Sequence, residues 1–305
     1  MNEISASIPR GIYAIPPTPF LESGAIDEVS LAKCLDFVIA AGGHGIVMPV
    51  NASEAIVLTD AERQQVTEIT VTQVANRVPV VIGVSGVSTE SSVQFATQAR
   101  NAGADAVIAM PPYVKHYSAS EIFAFYQEVA RAADPLPVWI QDFVAPVGTP
   151  MSVDLLVRLL GEIPGVRHIK EESLTGPQIM SELRNQLGDA LEGMMGGMAG
   201  RYMLEEFRRG ATGSMPACEV TDVHVQIWDA LEQDDESGAR LLHNQLLPLL
   251  NYEAMYGFTI YKEILVRRGV IASAKTRVAG AGYLDKENHR EIDMLLRDLS
   301  PLFRL

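Results

Sequence analysis

AGADAVI, residues 102–108, places a glycine helix stop a few residues ahead of an apolar run, as a turn from a helix into a following strand requires. The same arrangement recurs as AGGHGIV at 41–47 and RGATGSM at 209–215, which marks a repeated unit. Outward from these turns, short apolar runs alternate with longer amphipathic segments along most of the chain. Strands are predicted in GIYAIPPTPF (11–20), HGIVMPV (44–50), VPVVIGVSG (78–86), DAVIAM (105–110), PVWIQ (137–141), VRHIK (166–170), ALEGMMGG (190–197, weakly) and TGSMP (212–216). Helical patterns fill the gaps. Asp27 stands where an N-cap belongs, ahead of Leu31, Cys34, Leu35, Val38 and Ile39 at helical spacing, and Thr59, Ser88 and Ser118 open further helices.

Alternation of this kind builds a parallel sheet, and eight βα units close into a (β/α)8 TIM barrel with its chemistry at the C-terminal ends of the strands. Residues 1–220 are assigned to the barrel. Residues 221–305 carry only helical periodicity and are assigned to a C-terminal helical extension packed on it, with no low-complexity linker between.

The composition narrows the partners. The chain has 305 residues, 48% of them hydrophobic, enough for one large domain. A formal net charge of -14 argues against nucleic acid and anionic membrane surfaces, which need a basic footprint, but not against a small anionic substrate. Cys34 and Cys218 are too few and too far apart in sequence for a disulfide framework or a metal cluster, and the six histidines show no metal-ligand spacing. No metal and no cofactor is expected. The N-terminus lacks the basic-then-apolar run of a signal peptide, and no apolar stretch is long enough for a membrane span. A cytoplasmic setting is the expectation, and the apolar helical tail suggests a homodimer or homotetramer.

Within the barrel, polar residues just past each strand are the site candidates. The sixth strand ends in Lys170, followed by Glu171, Glu172 and Ser173. A lysine closing a barrel strand sits in partly desolvated space, where burial favours the free amine that attacks a ketone. A surface lysine paired with Glu171 or Glu172 is an equal reading of the same residues. Glu172, two residues on, projects to the same side of an extended strand end as Lys170.

Several blocks carry a resemblance: IPPTPF then GAID, HGIVMPVNASEA then LTDAER, VPVVIGVSG, NAGADAVIAMPPY, LPVWIQD and VRHIKEES, with GATGSM at the last strand. In order and spacing the chain resembles the dihydrodipicolinate synthase and N-acetylneuraminate lyase family of class I pyruvate-dependent enzymes. The resemblance implies a barrel lyase in which Lys170 forms a Schiff base with a small 2-keto acid. It also implies a carboxylate-holding loop after the second strand, here Asn51, Ala52 and Ser53, with Glu54 a structural hydrogen-bond partner. Met215, on the last strand, is a further candidate for substrate contact.

The departures from the family pattern bear on which reaction is run. Gln141 stands where the family commonly has the proton-relaying tyrosine after the fifth strand, Val114 replaces a second tyrosine, and Asn51 replaces a threonine. A carboxamide orients a hydroxyl or water but is no acid or base near neutral pH. This argues against the synthase and the N-acetylneuraminate lyase activities themselves. The I-Q-D and K-x-E segments and the stretch LPLLNYE…KEILVRRGVI resemble the branch acting on 2-keto-3-deoxy sugar acids, with Glu172 as the residue left to move protons. The expected function is dehydration or aldol cleavage of such an acid. Condensation of pyruvate with an aldehyde, and keto-acid binding without turnover, are the competing readings. One feature counts against a dehydratase: the loop after the seventh strand, GGMAGRY, offers no carboxylate, and its Arg201 is read either as a substrate contact or as a surface ion pair. The methionines of EGMMGGM are assigned mainly to core.

Overall fold

The computed structural model describes residues 9–143, 148–280 and 282–305; the N-terminal stretch read above for a signal peptide lies outside them up to residue 8. Eight strands, all parallel, close in sequence order into a barrel: β1 (Gly11–Ala14), β2 (Gly45–Val47), β3 (Val80–Gly83), β4 (Ala106–Ala109), β5 (Val138–Asp142), β6 (Val166–Glu171), β7 (Gly193–Gly196) and β8 (Gly213–Ser214). The helices after the first seven strands are α1 (Glu28–Ala40), α2 (Asp60–Val74), α3 (Thr89–Ala102), α4 (Ala119–Ala133), α5 (Val153–Glu162), α6 (Gly176–Leu187) and α7 (Met203–Arg208).

The predicted starts of four helices hold atom by atom. Asp27, Thr59, Ser88 and Ser118 each accept a hydrogen bond from a backbone N–H in the first turn of the helix they open. Each such cap is worth about 1 kcal/mol. The glycine stop of AGADAVI is a left-handed cap: Gly103 sits at φ 91°, a conformation that costs a residue with a Cβ.

Strand pleating sorts the apolar residues into two sets. Tyr13, Val47, Val81, Ile108, Trp139 and Met195 point into the barrel and fill it. Ile12, Ile46, Ile82, Val107, Ile140 and Met194 point outward and pack under the helices in the larger core. The barrel is thus closed to solvent below its mouth, and only the ends of the strands are free to form a site. The two cysteines, 184 positions apart, meet in that outer core as buried free thiols with sulfurs 3.5 Å apart.

Beyond β8 come α8 (Thr221–Glu232), α9 (Glu236–Tyr256), α10 (Phe258–Arg267) and α11 (Lys286–Leu299). Helix α8 packs on β1 and so completes the ring of helices around the sheet. Buried ion pairs tie the rest to the barrel. Arg268 makes a two-pronged contact with Asp222 at 2.8 and 3.0 Å. Lys262 of α10 pairs with Glu54 at the β2 end, both fully buried, and Glu54 also accepts from the N–H groups of Arg277 and Val278. Glu54 is the structural partner the sequence suggested, and its partners come from the C-terminal extension. Among the described residues, no helix is long and apolar enough to cross a membrane.

Candidate active site

Register places Gln141 beside Lys170 and Asp142 beside Glu171 at the ends of β5 and β6. The first pair faces the barrel axis and the second faces out. Lys170 is 4% exposed and lines a cavity of about 300 Å³ at the mouth. Its Nζ lies 2.8 Å from Oε2 of Glu172, so the paired carboxylate is Glu172 and not Glu171. The surface-lysine reading fails on this burial. Gln141 Nε2 donates to the same Oε2 at 2.8 Å, and Met198 N donates to Oε1 at 3.4 Å. The lysine, a carboxylate within proton-transfer reach and an orienting amide thus form one connected group.

The carboxylate can lie where it does because of two glycines at the end of β7. A Cβ on Gly197 would fall 2.2 Å from Oε1 of Glu172, and one on Gly196 would fall 1.9 Å from Oε2 of Glu206 on α7. This corrects the sequence reading of GGMAGRY: the segment brings no carboxylate itself but makes room for two. Glu206 is buried with Oε2 unpartnered, and burial, with Glu172 and Glu205 adding to it, pushes it up to about 8. It sits against the strand and does not line the cavity.

Asn51, Ala52 and Met215 line the cavity with Lys170, Glu172 and Gln141, so six of the seven predicted site residues share it. Ser53 is the seventh. It is fully buried behind the loop, its carbonyl accepting from Thr18 Oγ1 at 2.6 Å. The loop is a short 3-10 turn in which Ser53 N donates to the Val50 carbonyl at 3.0 Å and Glu54 N to the Asn51 carbonyl at 2.9 Å. The N–H of Ser53 is therefore spent within the turn, leaving Asn51 and Ala52 to supply the donors for an anion. Val114, at the family's second tyrosine position, is 68% exposed.

Arg201 lines the cavity and donates to the backbone carbonyls of Met198, at 2.7 Å, and Leu250. It enters no salt bridge among the described residues, so the surface ion-pair reading is overturned. Of the methionines, Met194 and Met195 are core, while Met198 lines the cavity.

The remaining wall comes from outside the barrel: Glu253, Ala254 and Gly257 at the end of α9, and Phe258 and Tyr261 at the start of α10. Residue-by-residue reading did not single out Glu253 or Tyr261. The signal was the LPLLNYE segment itself, whose final residue is Glu253.

The sequence of residues 8–298 matches the model of the dihydrodipicolinate synthetase family. The chain belongs to that family. Membership makes it an enzyme of the lyase class. It is 33% identical over 304 residues to the L-2-keto-3-deoxyarabonate dehydratase of Azospirillum brasilense, covering 98% of this chain and 97% of that one. Against the 4-hydroxy-tetrahydrodipicolinate synthase of Ralstonia nicotianae it is 33% identical over 171 residues, 56% of each chain. The solved structure of the dihydrodipicolinate synthase of Rhodopseudomonas palustris superposes with a TM-score of 0.88 at 26% identity, over 95% of this chain and 97% of that one.

Proposed function

We propose that the chain is a class I lyase that holds a 2-keto-3-deoxy sugar acid as a Schiff base on Lys170 and dehydrates it. The observation that carries the reading is the nearly buried Lys170 amine, 2.8 Å from Glu172 and open to the cavity. The match along almost the whole length of the Azospirillum brasilense dehydratase, including the segment that forms the cavity's far wall, supports this branch over the synthase.

The steps follow from the residues. Glu172 takes a proton from the Lys170 ammonium, and the free amine adds to the C2 ketone of a substrate whose carboxylate lies on the Asn51 and Ala52 N–H groups. Glu172 returns that proton to the carbinolamine hydroxyl, which leaves as water, giving a protonated imine, an electron sink beside C3, and freeing the carboxylate again. Glu172 then removes a C3 proton to give the enamine, held in aim by Gln141. The enamine electrons expel the C4 hydroxyl as water, and hydrolysis returns the amine. Met215 and Met198 keep the pocket partly dry, which strengthens each charge interaction.

The assembly is read as a homodimer or homotetramer in the cytoplasm, testable by light scattering. The functional test is borohydride reduction with pyruvate and with 2-keto-3-deoxyarabonate, followed by peptide mass mapping and identification of products. An adduct on Lys170 with loss of one water from the sugar acid fits. Two carbon fragments would mean aldol cleavage instead. No adduct would sink the imine reading.

A further inference from the structure

Expelling hydroxide from C4 requires an acid. Glu172 carries the C3 proton at that point but stays on the β5–β6 wall beside Lys170 and Gln141, so a carboxyl on the cavity's far wall is the second candidate. Glu206 is shielded behind Gly196 and does not line the cavity. Glu253 does line it. This side chain is 1% exposed, and neither of its carboxyl oxygens has a partner among the described residues other than another carboxyl. That other carboxyl is Glu219, in the loop after β8, which is fully buried with both oxygens likewise unpartnered. Two carboxyl groups packed together in this way cannot both ionise. Burial raises both, and the Glu219 charge and hydrogen bond raise Glu253 further, so the protonated form of Glu253 is favoured. Two cations oppose this, Arg201 on Glu253 and Arg268 on Glu219, but Arg201 donates to two backbone carbonyls and Arg268 to Asp222.

We infer that Glu253, lining the same cavity as Lys170 and Glu172, is the general acid that protonates the departing C4 hydroxyl. The inference rests on the dehydratase reading above. In the step, the enamine C2=C3 electrons form the C3=C4 bond as the C4–O bond breaks. The Glu253 O–H proton passes to the departing oxygen, water leaves, and the imine nitrogen regains its positive charge. The carboxylate left on Glu253 is reprotonated from solvent before the next turnover. Tyr261 lines the same cavity, but burial and the neighbouring Glu253 and Glu219 charges push its phenol up, making it much the weaker acid.

The test compares Glu253→Gln and Tyr261→Phe with the wild type in three assays. Borohydride trapping with pyruvate reads imine formation, and deuterium uptake into the pyruvate methyl group reads C3 proton removal. Turnover of 2-keto-3-deoxyarabonate and of its 4-deoxy-4-fluoro analogue reads departure from C4. Glu253→Gln should trap and exchange like the wild type, within a few-fold, yet lose roughly 10²–10⁴-fold in kcat on the hydroxy substrate. Loss with the fluoro analogue should be at least tenfold smaller, because fluoride departs with less help from an acid. Trapping also shows that the variant has folded. The assignment is overturned if Glu253→Gln keeps kcat and only raises KM, if both leaving groups suffer equally, or if Tyr261→Phe rather than Glu253→Gln shows the leaving-group dependence. A wild type that forms no adduct overturns the underlying Schiff-base reading instead.

Discussion

Glu171 and Glu172 are adjacent in sequence, the first buried and the second largely so, and opposite in their surroundings. Glu172 turns into the mouth, where the Lys170 ammonium and the Gln141 amide meet its Oε2. Glu171 turns outward beneath the helices, where it faces another carboxyl, Asp142, and enters no salt bridge among the described residues; Ser173 N gives it one hydrogen bond at 2.8 Å. Burial, with the Asp142 charge adding to it, raises the phenol of Tyr126, an α4 residue of the outer core. Burial, with the Glu172 charge adding to it, pushes Asp142 up to about 6 although a hydrogen bond from Glu171 lowers it, and burial with the Asp142 charge pushes Glu171 up to about 9. The pleat of a strand, with a period of two, decides which carboxylate meets the lysine in the cavity and which is pushed toward its neutral form.

The largest way to break this contrast is Lys170→Ala. It removes the nucleophile and should lower kcat by roughly four orders of magnitude or more and abolish borohydride trapping, with little change in melting temperature. Retention of even a hundredth of the wild-type kcat would dissolve the distinction between the two faces. Glu172→Gln is next: it keeps the size and one hydrogen bond but has no proton to move. A fall in kcat of about 10²–10⁴-fold is expected, with deuterium exchange into pyruvate falling alongside it. Exchange at the wild-type rate would transfer the base role elsewhere. Gln141→Ala leaves Glu172 one donor short. A charge-assisted hydrogen bond is worth about 1.5–3 kcal/mol, so KM should rise about tenfold or more while kcat holds within a few-fold; the reverse pattern would make Gln141 a participant in the chemistry.

These comparisons also show what a sequence can reveal. Strand period and strand end are local properties and made Lys170 and Glu172 candidates, but the resemblance, not the local pattern, favoured Lys170 over a surface lysine; the caps at Asp27, Thr59, Ser88 and Ser118 were legible locally. Ser53 was legible only in part: its proximity to the cavity follows from the loop, but the spending of its N–H within a 3-10 turn does not. Glu206 and Glu253 escaped individual notice because both sit on helices, where facing the site depends on how the helix packs. Gly196 and Gly197 were the trace of Glu206 and Glu172 left in the sequence, since close approach by a carboxylate excludes a Cβ. Glu253 had a trace too, in a segment matched by resemblance alone.

The smallest effect belongs to the outward carboxyl, and it appears in stability. Carboxyls of the unfolded chain give up their protons near 3.8 for Asp142 and 4.5 for Glu171, whereas in the folded chain both hold them to higher pH. Between those limits the folded state binds more protons than the unfolded one, so the pair makes stability fall as pH rises from about 4.5 to 9. Glu171→Gln replaces the protonated acid by a neutral group of the same shape that still donates to Asp142. The melting temperature of the variant minus that of the wild type should therefore grow more positive through that window and level off above it, which also cancels the contribution of Glu206 and the Glu219–Glu253 pair. The shift amounts to a few degrees, at about 2–4 °C for each kcal/mol in a chain of this order of size. Catalysis should change by no more than a few-fold, because this carboxyl never meets the cavity. Parallel melting curves across the pH range would mean that Glu171 is charged in the folded protein, and the two neighbouring glutamates would then differ in position alone.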